Sequence, residues 1–143
     1  MREIEIIRRP DGYVLIPHGT SEEGTIYAVP PATRLAGGAG AREVGEAVLA
    51  VLEAAVGGLP EPGRWGADAA LAGTGFASWA ELARDARKAI VCEEENGFVL
   101  LAMKSLGRGA WTSLDSVPPL EVPATTDPER IGRGVLDVLD LAR

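Results

Sequence analysis

An internal repeat constrains this chain more than any other feature of its sequence. The segment Arg42-Glu43-Val44-Gly45-Glu46-Ala47-Val48-Leu49-Ala50-Val51-Leu52-Glu53-Ala54-Ala55 aligns with Glu129-Arg130-Ile131-Gly132-Arg133-Gly134-Val135-Leu136-Asp137-Val138-Leu139-Asp140-Leu141-Ala142 when Gly45 is set on Gly132. Both then read Val-Leu-x-Val-Leu. Val44, Ala47, Val48, Val51, Leu52 and Ala55 fall at helical spacing, as do Ile131, Val135, Val138, Leu139 and Ala142. Each segment therefore predicts a helix that buries one stripe and leaves Glu, Asp and Arg in water. The strands repeat too: Asp11-Gly12-Tyr13-Val14-Leu15-Ile16-Pro17 matches Asn96-Gly97-Phe98-Val99-Leu100-Leu101-Ala102. Asp-Gly and Asn-Gly mark hairpin turns because both residues tolerate positive φ. A strand precedes each turn, at Ile4 to Arg8 and at Ala89 to Glu93, and a third follows, at Thr25 to Val29 and at Ala110 to Leu114. Val29-Pro30-Pro31 and Val117-Pro118-Pro119 then break the pattern, since proline donates no ladder hydrogen bond.

Each copy thus reads hairpin, third strand, Pro-Pro break, helix. The expected fold is α+β: a duplicated β-β-β-α unit, antiparallel sheet with helices packed against it. One domain is expected over 1–143, with repeat 1 at about 3–56 and repeat 2 at about 89–143. Whether the units share one sheet or form two facing sheets is open at this level. The intervening stretch, about 57–88, starts with the turn-rich Gly57-Gly58-Leu59-Pro60-Glu61-Pro62-Gly63 and ends in a short helix from Ser78 to Lys88. Ser78 with Glu81, and Thr126 with Glu129, have capping-box spacing, and Pro128 suits a first helical turn. Trp79, Leu82, Ala83 and Ala86 should pack on the sheet, with Trp65 and Trp79 as core anchors.

The 143 residues are 46% hydrophobic, enough for a core that removes roughly two thirds of the unfolded surface from water. The single cysteine, Cys92, excludes an internal disulfide, and the mixed-charge start Met1-Arg2-Glu3-Ile4-Glu5 is unlike a signal peptide. No run approaches the ~18 apolar residues of a membrane span, so a cytoplasmic protein is expected. The net charge of −7 disfavours direct contact with nucleic acid, whose phosphates repel carboxylates; it either serves solubility alone or is aimed at a basic protein partner.

Chemistry-bearing residues are sparse. His18 is the only histidine, so a multi-histidine metal site is excluded, and its place between Pro17 and Gly19 reads as loop. Cys92 lies in a predicted strand and reads as a small buried hydrophobe. Ala36-Gly37-Gly38-Ala39-Gly40-Ala41 precedes a helix but lacks the Gly-Lys-Ser/Thr of a phosphate loop, and reads as a connector. Glu93-Glu94-Glu95 at the second hairpin turn is either a solvated tip or a face for a basic partner. No catalytic, cofactor-binding or metal-binding set emerges, and the residues alone describe an acidic binding module rather than an enzyme.

Asp11-Gly12-Tyr13, Pro17, Gly24, Gly45, Pro62-Gly63-Arg64-Trp65, Ser78-Trp79 and Gly132 occur in an order that resembles the contact-dependent growth inhibition immunity proteins, small bacterial toxin-neutralising proteins. The resemblance covers nearly the whole chain. It implies stoichiometric binding of a cognate toxin domain, commonly a nuclease with a basic cleft, and no cofactor. The matched residues are scaffold residues, so no site transfers with them. Independently, the acidic tips Glu22, Glu23, Glu93, Glu94 and Glu95 are the expected contact surface, because loop tips are available without disturbing the core. The alternative is a homo-oligomeric interaction or sensory module. A third class, a small enzyme, would require carboxylates of raised pKa gathered in a pocket.

Overall fold

The computed structural model describes residues 1–63 and 66–143. In chain order the elements are β1 (Arg2–Arg9), β2 (Gly12–Thr20), β3 (Ile26–Ala28), β4 (Thr33–Ala36), α1 (Ala41–Leu52), α2 (Asp68–Ala72), α3 (Trp79–Leu82), β5 (Arg87–Glu94), β6 (Gly97–Gly107), β7 (Ala110–Ser113), β8 (Leu120–Pro123) and α4 (Pro128–Leu141). The strands form one eight-stranded sheet along the path β3-β2-β1-β5-β6-β7, with β4 on β2 and β8 on β6. Every strand pairing is antiparallel. One curled sheet, rather than two facing ones, therefore joins the N- and C-terminal parts, and its seam is the β1–β5 ladder, centred on Glu5 opposite Ile90.

Side-chain alternation along the strands gives the sheet two faces. Ile4 and Ile6 of β1, Tyr13 and Leu15 of β2, Ala89 and Val91 of β5, and Phe98, Leu100 and Ala102 of β6 point to the helical side. There they meet Val44, Val48, Val51 and Leu52 of α1 and Ile131, Val135, Val138 and Leu139 of α4. This is the main core, and it is aliphatic apart from Tyr13 and Phe98, as the low aromatic content requires. The opposite face carries a smaller cluster: Ile7, Val14, Ile16 and Ala28, covered by Ala70 of α2 and Leu82 of α3, with Phe76 and Trp79 partly buried against it. The strap between α1 and β5 is held over that face by Arg9. Its Nη1 donates to the carbonyls of Glu81 at 3.0 Å and Leu82 at 2.6 Å, and its guanidinium lies 4.2 Å from the Phe76 ring centroid.

The helices touch through their aligned glycines, and the contact is reciprocal. A Cβ on Gly45 would overlap the carbonyl oxygen of Pro128, and a Cβ on Gly132 would overlap that of Ala41. Each glycine thus meets the residue four places before the other. Only a residue without a side chain lets the two backbones come this close.

Several expectations are corrected. Each half carries four strands before its helix, not three: β4 and β8 follow the Pro-Pro pairs. They are short edge strands of four residues, too brief for alternation to reveal. Gly12 and Gly97, at φ 149° and 142°, do more than end hairpins. A Cβ there would strike the carbonyl of Leu35 in β4 or of Val122 in β8, so these glycines admit the fourth strands. The predicted helix from Ser78 to Lys88 stops at Leu82, with Asp85 in the left-handed region at φ 55° and Arg87 already in β5. Its cap is as expected: Ser78 Oγ accepts from Glu81 N at 3.1 Å. The last helix is capped by Asp127, whose Oδ1 accepts from Glu129 N at 3.1 Å, not by Thr126. Proline at 128 favours the residue directly before it as the cap. α2 was not expected from its Ala/Gly-rich sequence. Arg64 and Trp65, one of the expected core anchors, lie outside the described residues.

Candidate functional site

His18 is not a loop residue. It lies in β2, and register explains why the sequence concealed this: β1 and β2 pair Arg9 with Gly12 through Ile4 with Pro17, so Glu3 falls opposite His18. Glu3 and Glu5 are two apart on β1 and share its face. The ring sits between them. Nδ1 is 2.7 Å from Glu3 Oε1, and Nε2 is 2.7 Å from Glu5 Oε2. Lys88 Nζ, from β5 across the seam, is 3.4 Å from the same Glu5 oxygen. Cys92 Sγ donates to Glu3 Oε2 at 3.4 Å. The side chains of His18 and Lys88 are 10% and 12% exposed, so the charges are largely removed from water and must balance within the cluster.

A carboxylate accepts hydrogen bonds, so a ring with carboxylates at both nitrogens must donate from both and is an imidazolium. Burial alone pushes this histidine down, but the hydrogen bonds and charges of Glu3 and Glu5 outweigh it and raise the pKa to about 9. Glu3 is held below the ordinary carboxylate range first by its bond to His18. For Glu5 burial opposes ionisation most strongly, yet His18 and Lys88 together still lower its pKa. Burial, then the charge of Glu3, pushes the Cys92 thiol up to about 12. The carboxylates are thus fixed as anions and the sulfur as a thiol. That is the reverse of the raised carboxylate an acid catalyst uses or the lowered thiol a nucleophile uses. The group functions as an ionic fastening between strands. Among the described residues no set of three or more His, Cys, Asp or Glu side chains is placed to hold a metal ion.

The five acidic residues expected as a contact surface come to one end of the sheet. β2 runs past Pro17 to Thr20, so the turn bearing Glu22 and Glu23 emerges at the end where Arg2 faces Glu93 and where the β5–β6 hairpin turns through Glu94 and Glu95. β1 alone separates the two groups, which places their strands about 10 Å apart, twice the ~4.8 Å strand spacing. Glu22, Glu23, Glu94 and Glu95 are exposed. Glu93 is partly buried and bidentate on Arg2, Oε1 to Nε at 2.7 Å and Oε2 to Nη2 at 3.0 Å. Arg2 Nη1 also reaches Glu53, 3.2 Å away at the end of α1. Glu61 joins this end by accepting hydrogen bonds from Ser21 and from Thr25 Oγ1.

A cleft of ≈ 360 Å³ opens beside Glu5 and Lys88, walled by Tyr27, Trp79 and Trp111. Trp111 is half-buried there, with Lys88 Nζ 5.6 Å from its ring centroid. Trp79 lines the same cleft while packing on the smaller core, so it is both anchor and wall. No helix among the described residues is long and apolar enough to cross a membrane.

No family profile and no curated protein matches this sequence. Solved structures do match its fold. One is a protein of unknown function, NMB0488 from Neisseria meningitidis: TM-score 0.83 at 12% identity, covering 99% of this chain and 95% of that one. Another is a chain of the CdiA-CT/CdiI toxin and immunity complex from Yersinia pseudotuberculosis: TM-score 0.81 at 10% identity, covering 99% of this chain and 97% of that one. At these identities the likeness is one of fold, spanning essentially the whole molecule.

Proposed function

We propose that this chain is an immunity protein that neutralises a cognate toxin domain by forming a stoichiometric complex with it. The observation that carries the reading is the end-to-end fold match to a chain of a toxin and immunity complex. The net charge of −7 and the gathering of exposed carboxylates at one end of the sheet support a basic partner, a nuclease domain in the first instance. We take the partner to meet the protein in the cytoplasm, at Glu22, Glu23, Glu94 and Glu95, with Glu93 holding Arg2 behind them. We also read the two four-strand-plus-helix halves and their reciprocal glycine contact as the remains of a duplicated unit.

The direct test is to search the genes beside this chain's for a toxin domain and to co-express the pair. Growth should be arrested by the toxin alone and restored by both together, and the pair should co-purify at one to one. Arrest that persists with the chain present at equal or higher level removes the immunity reading.

The contact surface has its own test. Glu22→Lys, Glu23→Lys, Glu94→Lys and Glu95→Lys combined should slow association at low salt by about tenfold or more and flatten its salt dependence, since charge acts mainly on encounter. Glu93 is left intact because reversing it would also break the Arg2 pair. Association kinetics that do not change would move the interface away from this end.

A further inference from the structure

The β1–β2 ladder ends at Ile4 opposite Pro17, while β2 continues to Thr20. Beyond Pro17 the strand pairs on its other side with β3, at His18–Ala28, Gly19–Tyr27 and Thr20–Ile26. The connector after α1 is fastened to the same piece. Thr20 N donates to Val56 O at 2.9 Å, Leu59 N to Thr20 O at 3.1 Å, and Glu22 N to Leu59 O at 3.0 Å. Glu61 adds its bonds to Ser21 and Thr25. Residues 18–28 and 56–61 therefore form a flap, and the His18 ring is its polar tie to β1.

We propose that the Glu3–His18–Glu5–Lys88 cluster is a pH-sensitive interlock: it holds the flap against β1 while the ring is an imidazolium and releases it when the ring loses its proton. A neutral ring has one N–H, so one of the two carboxylates must lose its donor. The cluster, balanced at two positive and two negative charges, is left with an unpaired negative charge in a site with little access to water. The groups facing the ring from its neighbours are few. β1 contributes Glu3 and Glu5, and β5 contributes Lys88 and Cys92, with Glu94 adding its charge at Cys92. β3 contributes no charged group, and its Tyr27 hydroxyl donates to Pro60 O. Glu61 belongs to the flap and moves with it.

The sign follows from the ring holding its proton more tightly when closed, at about 9, than a free histidine at about 6.5. The interlock is complete below about 6.5, and the opening equilibrium rises about tenfold per pH unit from there until the closed ring titrates. Glu3 and Glu5 set an acid limit in the opposite sense: their contribution is lost as pH falls through their lowered values.

The single histidine makes the test clean. Imidazole nitrogen resonances of the intact protein report the ring directly, and amide hydrogen exchange, corrected for intrinsic rate, reports the flap. The ring should carry both protons at pH 7. Released from β1, the flap opens by local unfolding, so protection of the Thr20, Glu22 and Leu59 amides, whose acceptors lie within it, should fall about tenfold per pH unit above 6.5 and then level, while Val91 and Leu100 hold. A Glu3→Gln variant, which keeps the Glu5 contact, should lower the ring's midpoint and, with it, the pH at which flap protection levels, while the onset stays near 6.5. A neutral ring at pH 7, flap protection indifferent to ring titration, or protection lost equally at Val91 and Leu100 would each overturn the proposal.

Discussion

Gly45→Ala should destabilise the protein by about 3 kcal/mol or more, the upper range for overpacking a rigid contact. The direction is the informative part. In an ordinary helix interior the same change stabilises by about 1 kcal/mol, because alanine is the better helix former. Here the new methyl overlaps the Pro128 carbonyl oxygen, a backbone atom in the first turn of α4 that cannot rotate aside. Gly132→Ala should behave alike against Ala41, and the double variant should cost less than the sum, because one separation of the helices relieves both clashes. Gly38→Ala, with nothing within 4 Å of its Cβ, is the control. Urea unfolding of the four variants beside the parent decides it. A Gly45→Ala protein as stable as the parent would mean that the helices do not meet as described.

Glu5→Gln should cost about 3–5 kcal/mol, the range for removing one member of a buried charge pair. Glu5 accepts from His18 at 2.7 Å and faces Lys88 at 3.4 Å, and its side chain is 9% exposed. Its loss leaves two buried positive charges, His18 and Lys88, against the single negative charge of Glu3. Adding Lys88→Met restores one positive against one negative charge. The double variant should therefore be more stable than additivity predicts by about 1–3 kcal/mol, the usual range for coupled neighbours. Simple additivity in denaturant unfolding would show that Lys88 does not compensate Glu5. Glu5→Gln should also lower the His18 midpoint, because one of the two carboxylates that raise it is gone.

The two long helices and the principal strands were legible because their signals are local. Gly45 and Gly132 aligned two amphipathic segments, and Asp11-Gly12 and Asn96-Gly97 marked two hairpins, which are the ones found. β4 and β8 were missed because four residues after a Pro-Pro pair carry too little period to read. The glycines that admit them looked like turn residues. His18 reads as loop for a related reason: Pro17 looks like a strand end, yet the strand continues to Thr20 on a different partner. The opposition of Glu3 and His18 could have been counted from the hairpin register. What could not be counted was the depth at which the pair lies, because that depends on the strap carried over this face.

The sequence by itself determined the two long helices and the two hairpins, the apolar side of each, and an acidic, cysteine-poor composition. These follow from residue period and charge, which need no neighbours distant in the chain. Only the tertiary structure decided that the two parts share one sheet through β1 and β5, that the acidic tips lie at one end of it, and that a histidine is held as a buried cation. Each of those depends on β1 and β5, distant in the chain, meeting in a particular register, with Glu5 opposite Ile90. Register is set by the fit of the buried faces as a whole, and no single segment carries it.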